Sequence, residues 1–313
     1  MIILLNKYAN GTGGLNKWAK LKSGLEEKHL GNEYSLITSF EKFQRAFDRE
    51  IAEGERLFVA AGGDGTVNFL LNQMMRKENQ CRSQFILGAI GLGSSNDFHK
   101  SFSGSGNGQS NVNRNAPFKL NFNKAVLHNV GSIEYKDMHN RWQKKYFIVN
   151  CSLGLVAQAN YFFNSGDKIV HWLKPKWVEG TIWYSALKTL LTAKNIPVRM
   201  RVGHEVFETE LTTCSVFINP NVSGDFRYDI EISPQSDYLG VALCERMGIP
   251  TRVRTLLAMA KGRFVGLPKT RAWQAKEVEI LPAVPIALEM DGEVSLARHI
   301  RIALLHRALR VCQ

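Results

Sequence analysis

Gly62-Gly63-Asp64-Gly65-Thr66-Val67-Asn68 is the stretch on which the fold turns. An apolar run over residues 56–61 leads into it, and a helix-like stretch over residues 66–75 leaves it. Strand, glycine turn and helix in that order describe one step of a parallel, helix-covered sheet, with the turn at the carboxyl end of a strand. Gly62, Gly63 and Gly65 remove side chains and permit φ > 0, so backbone amides can approach a phosphate closely. The helix that follows aims its N-terminus at the same place, and Thr66 can cap it. Asp64 puts a carboxylate beside the expected phosphates, which makes sense with a bridging cation, most simply Mg2+. Asp-Gly is also ordinary turn chemistry, so the loop alone leaves a functionless turn open. A Walker loop is absent, and Asn68 stands where a Rossmann fingerprint needs its third glycine.

The same alternation extends on both sides. Ile2–Leu5 reads as a strand, followed by the turn Asn10-Gly11-Thr12-Gly13-Gly14 and a helix over residues 15–28. Residues 34–38 read as a strand, Phe40–Ala52 as an amphipathic helix and residues 85–90 as a further strand ending at Gly91-Leu92-Gly93-Ser94-Ser95-Asn96-Asp97. Ligands of such sheets gather at the carboxyl ends of the strands, where all three glycine-rich turns fall. Residues 101–117 are rich in Ser, Gly and Asn and read as a loop near a domain boundary.

Beyond residue 118 short alternating runs recur, with convincing helices only near residues 182–192 and 252–261. That pattern predicts an antiparallel, β-rich second domain. The expected fold class is therefore an α/β N-terminal domain over residues 1–124, with a mostly parallel sheet completed by residues 301–313. A β-rich sandwich domain over residues 125–300 follows it.

Composition narrows the chemistry. The 313 residues carry a formal charge of +12, which favours an anionic partner. Cys81, Cys151, Cys214, Cys244 and Cys312 are scattered without a Cys-x-x-Cys pair, which predicts reduced thiols in a cytoplasmic setting and no zinc site. No stretch approaches the roughly 18 apolar residues of a spanning helix, and the start lacks the basic region and long apolar core of a signal peptide. No nucleic-acid-binding motif accompanies the charge, so a nucleic-acid partner is not expected. Between Glu245 and Lys276 eight basic residues face a single acid, which fits a solvated basic face or a membrane-facing patch equally well.

Taken together, Gly62-Gly63-Asp64-Gly65-Thr66 with Val67-Asn68 resembles the signature of the diacylglycerol kinase catalytic-domain family. The Gly-Gly-Asp theme is shared with NAD kinases and phosphofructokinases, whose fold the first domain would have. The loop over residues 91–97 resembles that family's second motif, and Asn6 with Ala9-Asn10-Gly11 resembles its first nucleotide loop. Asp291-Gly292-Glu293 matches its Asp-Gly-Glu, while residues 150–154 and 184–187 resemble segments of its lipid-binding domain. The resemblance implies an ATP- and Mg2+-dependent kinase with its active site between the domains, acting on a lipid hydroxyl, by default that of diacylglycerol. It implies that Asn6, Asn10, Gly11, Thr38, Gly62, Gly63, Asp64, Gly65, Thr66, Asn68, Ser94, Asn96 and Asp97 contact nucleotide. Asp64 would hold Mg2+ through the phosphates, and Glu293 would be the general base. Lys7 and Phe69 depart from the pattern, where Pro and Glu are usual. Where many bacterial members bind a structural Mg2+, residues 233–240 keep one acid, Asp237.

On a strand, Asp291 and Glu293 would project to one face, where crowding raises a carboxyl pKa and suits one of them to accept a proton. The same tripeptide also reads as a hairpin turn with a surface Glu. Trp172 and Trp177, beside Lys168, Lys174 and Lys176, suit a membrane interface, whereas Trp183 suits the core. The expected setting is cytoplasmic with transient membrane association, and a homodimer is compatible with it. An NAD kinase-like enzyme and a non-catalytic lipid- or nucleotide-binding protein are the alternative readings.

Overall fold

The computed structural model describes residues 1–10, 13–31, 33–100, 116–165, 168–173, 176–222 and 226–313. Gly11, Lys174 and residues 101–115 of the expected loop lie outside the described residues. The chain forms two units, residues 1–130 with 306–313, and residues 131–305.

The first unit runs β1 (Ile2–Leu5), α1 (Gly14–Leu25), β2 (Ser35–Ile37), α2 (Phe40–Ala52), β3 (Leu57–Gly62), α3 (Asp64–Met75), α4 (Asn79–Arg82), β4 (Ile86–Gly91) and β5 (Phe118–Lys119). Strands β2, β1, β3 and β4 are neighbours in that order and all parallel. Antiparallel β5 pairs with β4, which also receives the end of the last strand through Arg310–Ile86 and Val311–Leu87. Every residue of β1 is buried, as is all of β3 beyond Leu57, because helices cover the sheet on both faces. On one face Trp18, Leu21 and Leu25 of α1 pack over Ile3, Leu5 and Val59. On the other, Phe43 and Phe47 of α2 meet Phe58 and Phe85, with Phe47 and Phe58 ring centroids 4.9 Å apart. Each such buried ring contributes roughly 1.5–3 kcal/mol. Ser39 caps α2 by accepting the Lys42 amide at 3.3 Å. Helix α3 is buried around nearly its whole circumference, polar Thr66, Asn68, Asn72 and Gln73 included.

The second unit is dominated by antiparallel strands. The long strand Glu205–Phe217 pairs with Ile196–Val202, with Leu239–Glu245 and with Asn150–Gly154. Ile196–Val202 alternates buried and exposed residues, so Ile196, Val198, Met200 and Val202 enter the core while Pro197 and Arg199 face out. Asn150–Gly154 also pairs with Ile286–Met290, which makes a hairpin with Glu293–Ala297. The expected fold class, a parallel α/β part followed by a β-rich part, is thus borne out.

Among the described residues four helices interrupt the second unit, Leu155–Ser165, Lys168–Leu173, Val178–Thr192 and Ile249–Met259, where the sequence shows two. The first two are hidden because their apolar residues lie on exposed faces as well as buried ones, which erases the 3.6-residue pattern. Trp183, expected in the core, is 46% exposed. Among the described residues no helix is long and apolar enough to cross a membrane.

Candidate active site

Because β1, β2, β3 and β4 are parallel, their carboxyl ends lie along one edge of the sheet. Asn6 follows β1, Thr38 follows β2, Gly62 ends β3 and Gly91 ends β4. The four segments singled out in the sequence therefore converge on that edge, where α/β sheets place their ligands.

Hydrogen bonds tie the loops to one another. Asn6 Nδ2 donates to Thr66 Oγ1 at 3.2 Å, linking the β1 loop to the first turn of α3. Asn6 Oδ1 accepts the Tyr8 amide at 3.0 Å. Ser94 Oγ donates to Asn10 Oδ1 at 3.2 Å, so the β4 loop touches the β1 loop as well. Asn10 and Asn96 both adopt left-handed backbone, at φ 54 and 50, which Asn tolerates better than other non-glycine residues. Asn96 closes its own loop by accepting the Gly93 amide at 3.0 Å and donating to the Gly93 carbonyl at 3.2 Å. Asn68 lies within α3, 5% exposed, and its side-chain oxygen accepts from Asn72 Nδ2 at 3.0 Å.

The glycines do not use the positive φ that the sequence allows them. None of Gly62, Gly63, Gly65, Gly91 and Gly93 has positive φ. What four of them supply is proximity. A Cβ on Gly62 would stand 2.2 Å from Thr66 Oγ1, and one on Gly93 only 2.5 Å from the Gly63 Cα. A Cβ on Gly91 would meet Pro117 Cγ at 2.8 Å. The β3 and β4 loops are in backbone contact, and glycine is required because the chains touch.

Asp64 completes that contact. It opens α3, and its carboxylate oxygens accept the amides of Asp97 and Phe98, both at 3.0 Å. The residue expected to face a cation therefore also latches the two loops together. Asp97 is buried and ion-paired with Lys100. Sequence reading missed Lys17, whose ammonium reaches the Leu92 carbonyl at 3.4 Å from α1, and burial pulls its pKa below the usual lysine value. The available signal is its place next to Trp18, at the edge of the buried Gly14–Trp18–Leu21–Leu25 stripe.

In the second unit Asp291-Gly292-Glu293 is not a strand face. Asp291 and Gly292 have φ 45 and 96 and form the turn between Ile286–Met290 and Glu293–Ala297. Two positive φ values suit a tight hairpin, and Asp-Gly is a preferred pair for it. The expectation that Asp291 and Glu293 project together is overturned by the turn between them. Asp291, 3% exposed, accepts the amides of Ile148 at 2.8 Å, Val149 at 3.1 Å and Asn150 at 2.9 Å. Glu289, unremarked in the sequence, accepts the Gly292 amide at 2.6 Å and steadies the same turn. Glu293 is exposed at the start of its strand. Asp237 is exposed too. Among the described residues no three His, Cys, Asp or Glu side chains form a metal-holding group.

Residues 1–119 match the diacylglycerol kinase catalytic domain. A diacylglycerol kinase of Staphylococcus epidermidis (strain ATCC 35984) is 22% identical over 90% of this chain and 83% of its own. That of Staphylococcus saprophyticus subsp. saprophyticus is 21% identical over 78% and 72%. The crystal structure of a diacylglycerol kinase from Bacillus anthracis str. Sterne shares the fold, with TM-score 0.65 and 17% identity over 99% of this chain and 95% of that one. By these matches residues 1–119 are similar to a diacylglycerol kinase catalytic domain, and the chain is a kinase.

Proposed function

We propose that the chain transfers the γ-phosphoryl group of ATP, with Mg2+, to a lipid hydroxyl, with diacylglycerol as the default acceptor. The observation that supports this best is the convergence of four loops at one sheet edge, two of them latched together by Asp64, in the part of the chain that matches a kinase catalytic domain. Asn6, Asn10, Gly11, Thr38, Ser94 and the Gly62–Asn68 segment are proposed to hold the nucleotide, with Asn96 and Asp97 shaping the β4 loop. The N-terminus of α3 favours phosphate through its dipole.

The residues present fit a magnesium nucleotide. Asp64 supplies hard carboxylate oxygens, the ligand type that Mg2+ takes, at the turn between β3 and α3. The neighbouring hydroxyls of Thr66 and Ser94 are suited to phosphate oxygens. Mg2+ would neutralise charge on the transferring phosphoryl group. Glu293 is proposed as the base that accepts the lipid hydroxyl proton. Asp291 is proposed as a positioning residue, since its carboxylate is occupied by three amides. Lipid access implies a cytoplasmic protein that visits the membrane.

The test is phosphate transfer from labelled ATP to a panel of lipids, with NAD as a competing acceptor. Glu293→Gln and Asp64→Asn are each expected to lower lipid phosphorylation by about 100-fold or more. Transfer to NAD alone, or full activity in Glu293→Gln, refutes the mechanism.

A further inference from the structure

Helix Val178–Thr192 is built inside out. Its most buried side chains include Thr181, Ser185 and Thr189, at 0%, 1% and 5% exposure and four residues apart. Trp183, Leu187 and Leu191, also four apart, are 46%, 51% and 52% exposed. Four-residue spacing keeps each triplet on one stripe of a helix. A surface helix in water ordinarily does the reverse, with apolar residues inward and hydroxyls outward. Ser185 Oγ is buried without a hydrogen-bond partner among the described residues, so the inward hydroxyls are not explained by full satisfaction.

The adjoining segment continues the pattern. Helices Leu155–Ser165 and Lys168–Leu173 both pack on Val178–Thr192. They and the residue preceding it expose Tyr161 at 60%, Trp172 at 62% and Trp177 at 61%. Clusters of exposed apolar side chains on this scale mark interaction surfaces. Their neighbours are cationic. Residues 161–195 hold five lysines against two acids. The Lys176 ammonium lies 4.1 Å from the Trp172 ring centroid, and that of Lys188 lies 4.5 Å from the Phe162 centroid. Indole and lysine held side by side match the boundary of a bilayer, where rings sit at headgroup depth and ammonium groups meet lipid phosphates.

We infer that the exposed stripe Trp183–Leu187–Leu191, with Trp172 and Trp177, is a docking surface for an anionic bilayer, which it enters with its apolar face. Charge decides the occupant: an apolar face bordered by lysines complements anionic lipid, and a net charge of +12 draws the whole chain to it. A second copy of the chain would bring the same positive charge to the contact. The inference deepens the lipid-kinase proposal, yet docking can be measured without turnover.

The experiment is co-sedimentation of the full chain with vesicles of phosphatidylcholine, with and without phosphatidylglycerol. Tryptophan emission is followed in parallel. Wild-type protein is expected to partition onto the anionic vesicles, with a blue shift in emission and at least 10-fold weaker binding at high salt. Leu187→Gln with Leu191→Gln is expected to lower that partitioning at least 10-fold, and Lys168→Glu with Lys176→Glu to do the same. All four residues are solvent-facing or at most half-buried, so circular dichroism should show the fold retained. Unchanged partitioning in both double variants overturns the inference. So does a dimer in sedimentation velocity that the leucine variant dissolves, since a second copy would then cover the face. Vesicle binding without phosphorylation of any detergent-dispersed lipid defeats the kinase proposal and leaves docking standing. Phosphorylation with unchanged partitioning does the opposite.

Discussion

Two Asp-Gly pairs, Asp64-Gly65 in the first unit and Asp291-Gly292 in the second, have the same local sequence and opposite backbone outcomes. The first opens helix α3 with ordinary negative φ. The second turns a hairpin with two positive φ values. Their carboxylates nevertheless do related work. Asp64 accepts two amides from the β4 loop, and Asp291 accepts three from residues 148–150. In each case the acid gathers backbone donors that would otherwise lack partners, and so fixes one loop against another. The difference is depth: Asp291 is 3% exposed, whereas Asp64 is only part-buried. A part-buried latch can serve a ligand as well as the fold, and a fully buried one serves the fold first.

Removing each carboxylate should expose that difference. Asp291→Ala strands three donors in the interior, each costing about 1–3 kcal/mol when left unpaired. The expected loss in urea unfolding is about 4 kcal/mol or more, enough to compromise the β-rich unit. Asp64→Ala should cost less, about 1–2 kcal/mol, because water can reach its orphaned amides. Equal losses at the two sites would break the comparison.

Acid should distinguish the latches too. The Phe98 amide bound by Asp64 adjoins His99, and burial pushes His99 down to about 4, helped by the charge of Lys119. Burial also pushes His128 down to about 4. A histidine whose folded pKa is depressed binds its proton more tightly when unfolded. Its share of stability is therefore intact above about 6.5 and is lost as pH falls toward 4. Each histidine contributes up to about 3 kcal/mol to that loss. Relative to the intrinsic rate at each pH, amide exchange at residues 97–99 should accelerate between pH 6.5 and 4, while residues 148–150 keep their protection. His99→Gln should flatten the acid response of the first set if it folds. Parallel acceleration in both regions would show that the latches do not open separately.

The glycines mark the same contrast on a smaller scale. Gly93→Ala forces a Cβ against the Gly63 backbone, and overpacking of that kind costs about 1–3 kcal/mol. Gly292→Ala meets a conformational penalty at φ 96, about 1 kcal/mol or somewhat more. The first variant should also weaken nucleotide binding, measured by calorimetry, and the second should not.

Much of this was legible beforehand. All four of the parallel strands, the glycine turns at their ends and the alternating second domain follow from periodicity and from turn residues at strand ends. Individual roles were harder to read. Proximity of Gly63 to Gly93 depends on pairing between β3 and β4, which neither segment encodes alone. The partners of Asp291 lie more than 140 residues away in sequence, and Glu289 enters only once the hairpin register is known. Helix Val178–Thr192 escaped a full reading because its outward face is apolar, so hydrophobicity no longer points to the core.

Glu293→Gln carries the smallest expected effect on stability and for that reason divides fold from function most cleanly. Glu293 is exposed and sits beyond the turn that Asp291 and Glu289 hold. Loss of its charge should move the urea midpoint by no more than about 0.5 kcal/mol. If it is the base, phosphate transfer falls steeply in the same protein, because no proton acceptor remains for the hydroxyl. Asp291→Asn is the matched control: a carboxamide keeps only one oxygen for three amides, so stability and activity should fall together. A stable Glu293→Gln variant with unchanged transfer would leave the exposed acid a surface residue, and the comparison would reduce to two structural latches.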